Sequence, residues 1–195
     1  PGYSLLQMGG PGGWHQRKAT AQAEGRSGVS EPRIRDAAPG DASAINAIYN
    51  TYIVDSHVSF DTEPWSDEQR TAWLADRIEH GYPVLVAVEN GSVVGAAWSG
   101  PWREKAAYRT TVESTVVLAY GATGRRIGTR LYGALLDRLR AAGFLVAVAI
   151  IALPNDASIA LHARLGYREV GVLDGVGVKG QRRHSTLIME CQLEA

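Results

Sequence analysis

The sequence predicts a single α/β domain, a mixed sheet with helices on both faces. Three observations carry this. Two strand-like runs, Pro83 to Val88 and Val93 to Trp98, flank Asn90-Gly91, a strong tight-turn pair. From Thr111 onward the pattern runs strand, helix, strand, helix, strand. The longest apolar run, Phe144 to Leu153, suits a buried strand and is too short to cross a bilayer. Strands first, followed by this alternation, is the order of a mixed α/β sheet.

Each element has its own signal. Arg33 to Ala37 alternates like a short first strand. Asp41 is placed to cap a helix with Ile45, Ile48 and Tyr49 among its apolar positions. Ser56 to Pro64 is irregular and carries Phe60 and Glu63. Ser66 caps a second helix through about His80, with Asp67 and Glu68 in the first turn, where the helix dipole favours them. After the hairpin, a loop opens at Gly100-Pro101-Trp102 and leads into the strand Thr111 to Leu118. Tyr120 to Gly128 is a basic, glycine-bearing turn, and the next helix runs to about Ala142. That helix has Ile127, Leu131, Leu135 and Leu139 on one face and Gly143 as its stop. Leu145 to Ile151 is a buried strand, and Asn155 or Asp156 opens a helix ending near Leu165-Gly166. Tyr167 to Leu173 and Ser185 to Gln192 read as a closing antiparallel pair, and there is no internal repeat.

Among 195 residues, 20 basic side chains balance 20 acidic ones, so no global field favours nucleic acid or a membrane surface. Cys191 is the only cysteine, which rules out an intramolecular disulfide and fits a reducing cytosol. Residues 1–32 are rich in Gly, Gln and Ser without steady periodicity and lack the order of a secretory signal. They are expected to be a disordered or artefactual extension, with the domain over 33–195.

Four groups of residues point to chemistry. The turn before the third helix offers room at Gly121, Gly124, Gly128 and Thr129, and charge at Arg125, Arg126 and Arg130. Free N–H groups and a positive dipole end at such a helix start suit a pyrophosphate, although an ordinary turn with solvated arginines has the same composition. Glu113 stands on an alternating strand beside apolar residues, where desolvation raises a carboxyl pKa towards that of a general base. From strand position alone, a solvated glutamate in an ion pair is the commoner outcome. His162 follows Asn155 by seven residues, on the same helical face, and an imidazole exchanges protons near neutrality. Arg103 and Lys105, just before Tyr108, put two cations on one face of an extended segment, as a carboxylate or phosphinate requires. A solubilising loop has the same residues. No histidine pair has metal-ligand spacing, so no metal is expected.

From about Ile34 to Gln192 the chain resembles the GNAT acetyltransferases, and within them the phosphinothricin acetyltransferase family. The residues that carry this are Gly100-Pro101-Trp102, Ala107-Tyr108, Glu113-Ser114-Thr115-Val116, Leu153-Pro154-Asn155-Asp156, Leu161-His162 and Leu165-Gly166-Tyr167. Phe60 with Thr62-Glu63-Pro64, Gly177-Val178-Lys179 and His184 add to it. The resemblance implies the GNAT fold, a mixed, mostly antiparallel sheet with central parallel strands that splay apart. It implies acetyl-CoA as co-substrate, held by Val116, Val117 and Leu118, by Thr123, Gly124, Arg125, Arg126, Ile127, Gly128 and Thr129, and by Asn155 and Ser158. It also implies direct acetyl transfer. Glu113 is the base, a strand N–H stabilises the oxyanion, and His162 returns a proton to the CoA thiolate. Phe60, Arg103, Lys105 and Tyr108 line the substrate.

The acceptor is then the α-amine of a small amino acid-like molecule such as L-phosphinothricin or L-methionine sulfoximine. A cytoplasmic homodimer without nucleic-acid or membrane partners is expected. The chain departs from the family pattern at Thr123, where a long polar residue is usual, and at Arg126, the first glycine position. Tyr120 replaces a proline, and Arg103 and Lys105 invert the family's order of the two cations. Arg126 either obstructs a phosphate or neutralises it. Two alternatives follow: acetylation of another amine (an ordinary amino acid, a polyamine or a protein N-terminus), or a non-catalytic GNAT-fold binding module with weakened CoA binding.

Overall fold

The computed structural model describes residues 31–194. The expected extension over 1–32 therefore lies outside the described residues, except for Glu31 and Pro32. The order is β1 (Arg33–Asp36), α1 (Ala42–Asp55), α2 (Asp67–Glu79), β2 (Val84–Glu89), β3 (Ser92–Pro101) and β4 (Thr111–Leu118). Then come α3 (Ile127–Ala141), β5 (Val146–Ala152), α4 (Asp156–Arg164), β6 (Arg168–Lys179) and β7 (Arg182–Gln192). The strands form one seven-stranded sheet in the order β1-β2-β3-β4-β5-β7-β6. Every neighbouring pair is antiparallel except β4–β5, which is parallel.

Strand alternation assigns the two faces. On one, Ala42, Ile45 and Ile48 of α1 and Leu74 of α2 pack against Val84, Val86, Ala96 and Val117. On the other, Leu131, Leu135 and Leu139 of α3 cover Leu85, Ala87, Ala97, Val112 and Ala147. Those three leucines are 0% exposed, and burial of each contributes about 2 kcal/mol. The α1–α2 layer also contains a cation. The Arg70 guanidinium lies 4.8, 4.2 and 4.8 Å from the ring centres of Tyr49, Trp65 and Trp73. Three aromatic faces offset part of the cost of burying that charge.

Local signals held in most places. Asn90 and Gly91 adopt φ of 50° and 81°, the left-handed pair a tight hairpin needs. Ser66 caps α2, accepting from the Gln69 N–H while the Gln69 side chain accepts from the Ser66 N–H. Asp41 is different. It makes no side-chain cap to α1. Its carboxylate accepts from both terminal nitrogens of Arg35, at 2.6 and 2.8 Å, and from the Ala38 N–H at 2.7 Å. A strong ion pair outcompetes the cap.

Three lengths also differ. Gly100 and Pro101 are strand rather than loop, paired with Glu113 and Val112. β6 and β7 run well past Leu173 and begin before Ser185, as a long arm joined at Gly180 and Gln181. The glycines at 171, 175 and 177 break the alternation by which a strand is read, and the register shifts where they stand.

Candidate active site

β4 and β5 pair only at Thr111–Val146, Val112–Ala147 and Glu113–Val148, and then part. β5 continues beside β7 to Ala152, while β4 continues beside β3 to Leu118. The gap thus opens at Glu113. The Ala119 N–H donates to the Val94 carbonyl at 3.0 Å, which sets the phase of the β3–β4 ladder. By that phase Val116 and Leu118 turn their main-chain groups into the gap. The Leu118 carbonyl accepts from the Tyr52 hydroxyl at 2.6 Å, so its N–H and the groups of Val116 remain. Val117 is a correction. It pairs with Ala96, and its side chain is buried under α1, so neither its main chain nor its side chain faces the gap.

Glu113 lies on the α1–α2 face, half-buried, with no hydrogen bond or ion pair among the described residues. Burial pushes its carboxyl above the ordinary range, and the positive charge of Arg103 pulls partly the other way. The loop that brings Arg103 there is bent, ending in a tight turn at Ala106–Tyr108. The extended geometry expected for Arg103 and Lys105 is therefore absent. Arg103 stacks on Trp102, 4.6 Å from the ring centre, beside the charge of Glu113. Lys105 and Tyr108 stand exposed.

The opposite face of β4, one residue on, holds a buried polar cluster. Ser114 Oγ donates to the Val148 carbonyl at 3.1 Å, bridging the strands where the ladder ends. It also lies 2.9 Å from the Tyr132 hydroxyl and 2.8 Å from that of Tyr167. His162 is 4% exposed, with Nε2 3.1 Å from the Tyr132 hydroxyl and Nδ1 2.8 Å from the Ser158 carbonyl. Burial lowers the His162 pKa, and it raises the Tyr167 phenol to about 12 and the Tyr132 phenol well above its ordinary value. Asn155 caps α4 by accepting from the Ser158 N–H at 3.2 Å. Asn155 and Ser158, both expected at the co-substrate, thus serve the helix that carries His162.

At the far end of the gap, α3 begins beside an open cleft of about 410 Å³ lined by Glu31, Pro32, Arg125, Arg126, Ile127, Thr129 and Arg130. Thr123 turns its hydroxyl to the Tyr120 carbonyl, 3.0 Å away. Gly124 has φ of 73°, and Arg126, which caps α3, has φ of 60°. The glycine preferred at the Arg126 position therefore answers a backbone requirement. Arg125 forms a forked ion pair with Glu89, and Arg130 lies 3.2 Å from Glu31. Arg126 has no partner among the described residues. A Cβ at Gly128 would stand at ordinary contact distance, 3.4 Å from Leu118 and 3.5 Å from Leu161.

Residues 46–167 match the acetyltransferase (GNAT) family. This chain belongs to that family. The phosphinothricin N-acetyltransferase of Streptomyces coelicolor is 43% identical over 155 residues, 78% of this chain and 91% of its own. The L-methionine sulfoximine/L-methionine sulfone acetyltransferase of Pseudomonas aeruginosa is 38% identical, covering 83% and 94%. A phosphinothricin acetyltransferase of Sinorhizobium meliloti, solved with acetyl-CoA, superposes with a TM-score of 0.80 at 30% identity, covering 84% and 89%. The protein is an N-acetyltransferase of the GNAT family, and acetyl-CoA is the co-substrate with which such neighbours are solved.

Two features of the structure escaped sequence reasoning. Ser114 and Tyr167 enter only among the residues that carry the resemblance and Tyr132 not at all, because nothing in spacing joins three distant segments. The other is the arm of β6 and β7. It lies against the segment of Phe60, through the Lys179 ammonium on the Ser59 carbonyl at 2.7 Å and through His184 stacked on His57 at 5.3 Å. Phe60 itself presses on the Gly177 backbone. Gly177, Lys179 and His184 carry the family resemblance, and their contacts give them a structural reason.

Proposed function

We propose that this protein acetylates the α-amine of a small amino acid-like acceptor of the L-phosphinothricin or L-methionine sulfoximine type, by direct transfer with Glu113 as base. The observation that carries this is a half-buried carboxylate, unpartnered among the described residues, at the point where β4 and β5 part, with Arg103 beside it. The groups around the gap fit acetyl-CoA. Val116 and Leu118 offer main-chain groups for an extended amide-bearing arm. The start of α3, with unpaired N–H groups and Arg126, suits phosphates. Acetyl-CoA supplies an activated acetyl thioester.

In this reading Glu113 takes one proton from the acceptor ammonium, directly or through water. The amine nitrogen then bonds to the acetyl carbon as the carbon–sulfur bond breaks, and a β4 N–H stabilises the oxygen that becomes negative. Arg103 holds the acceptor's anionic group, with Phe60 as apolar wall and Lys105 and Tyr108 at the rim. A polyamine would bring like charge to Arg103 and Lys105. The exposed Val170, Val172, Val176 and Val178 on the edge strand β6 support a homodimer.

A thiol-release assay with acetyl-CoA and a panel of amines tests this. Turnover of phosphinothricin or methionine sulfoximine above ordinary amino acids is the expected result. Preference for spermidine overturns the acceptor class, and no turnover with any amine overturns the enzyme reading. Calorimetric binding of acetyl-CoA without turnover would leave a binding module.

A further inference from the structure

The hydrogens of the cluster at the parting of β4 and β5 follow from its shortest contacts: at His162 Nδ1 the Ser158 carbonyl lies at 2.8 Å and the Ser158 hydroxyl farther away, at 3.3 Å. Two of its partners, the Val148 and Ser158 carbonyls, can only accept. Ser114 therefore gives its proton to Val148, 3.1 Å away, and His162 gives its Nδ1 proton to Ser158, 2.8 Å away. The bare Nε2 of His162 then needs a donor, and the hydroxyl within reach is that of Tyr132, at 3.1 Å. Tyr167 in turn donates to the Tyr132 oxygen at 3.0 Å or to Ser114 at 2.8 Å. The one proton of Tyr167 thus lies between the Tyr132 and Ser114 oxygens and ties them together.

Tyr132 comes from α3, His162 from α4, Ser114 from β4 and Tyr167 from just before β6. They meet beside the last β4–β5 pair, which is Glu113 with Val148. We propose that Tyr132 is a positioning residue: its hydroxyl, donated to His162 Nε2 and tied to Ser114 through Tyr167, fixes the apex at which β4 parts from β5, and with it the place of Glu113. His162 is then a fixed hydrogen-bond acceptor rather than the source of the thiolate's proton. This rests on Glu113 as the base, and the protons still balance. One ammonium proton goes to Glu113. The second leaves the nitrogen as the amide forms and goes to the departing sulfur.

The test compares Tyr132→Phe, His162→Gln and His162→Leu in the full chain. The glutamine carbonyl can accept from Tyr132 but cannot deliver a titrating proton. His162→Gln should keep kcat within about threefold, while His162→Leu and Tyr132→Phe lose about tenfold or more, as misplacing a reacting group by a fraction of an ångström does. KM for both substrates should stay within about twofold. Equal loss in His162→Gln and His162→Leu, with unchanged melting temperature, overturns the proposal. Nitrogen-15 NMR of the wild-type histidine at pH 8 decides it without activity. Nδ1 should carry the proton and Nε2 be bare, with the Nε2 resonance moving in Tyr132→Phe. A protonated Nε2 overturns the proposal even in a preparation that acetylates nothing, so its failure is separate from failure of the function.

Discussion

At Glu113, one residue is assigned two conflicting demands. Burial holds the carboxyl above its ordinary range, so the ionised form that the proposed base must take is itself a strain on the fold. Because the folded state binds this proton more tightly than the unfolded state, stability falls as pH rises through the raised value, and the penalty is fully present above it. Activity runs the other way and climbs through the same value. Glu113→Gln should therefore lower kcat by about 100-fold or more, with melting temperature at pH 7 equal or higher. A clear fall in melting temperature would mean that the carboxylate is structural. Arg126 poses a similar conflict. Its left-handed backbone costs about 1 kcal/mol, yet among the described residues it is the cation of the cleft with which no carboxylate pairs. Arg126→Gly should raise stability by about that amount and weaken acetyl-CoA binding several-fold in calorimetry. Unchanged or tighter binding would show that the side chain only obstructs.

At the scale of elements, the β6–β7 arm does more than close the sheet. A Cβ at Gly177 would stand 2.3 Å from the Phe60 ring, so the ring lies where it does only because position 177 has no side chain. Gly177→Ala should displace Phe60 and raise KM for the amine several-fold, leaving KM for acetyl-CoA unchanged. Equal effects on both substrates would instead indicate general loosening. On the other side of the site, the Ser66–Gln69 box starts α2, and Ser66→Ala should cost about 1 kcal/mol in denaturant titration.

At the scale of the molecule, the gap in the sheet separates two working faces. Glu113 points to the α1–α2 side, and Ser114, next in sequence, points to the α3–α4 side. The proposed base and the cluster that positions it are thus held by different cores. The exposed apolar side chains of β6 lie at the end of the sheet away from β1. Sedimentation at micromolar protein should find a dimer, and Val172→Lys with Val178→Lys should shift it towards monomer. A wild-type monomer would remove the dimer from the proposal.

Much was legible in the residues alone. Alternation and turn pairs place β1 to β5, because those signals are local: Asn90-Gly91 sets a hairpin wherever it stands, and Leu131, Leu135 and Leu139 mark a helix face at any position. Strand phase put Glu113 beside apolar residues, and the resemblance singled it out. The tertiary structure decided what depends on distance through space. It bent the loop so that only Arg103 reaches the charge of Glu113. It turned Val117 into the core, and it spent Asp41 on Arg35 instead of on a cap. It also drew Ser114, Tyr132, His162 and Tyr167 from four segments into one buried network. Hydrogen bonds and burial are set by which segments meet, and that meeting is a property of the whole packed chain rather than of any window along it.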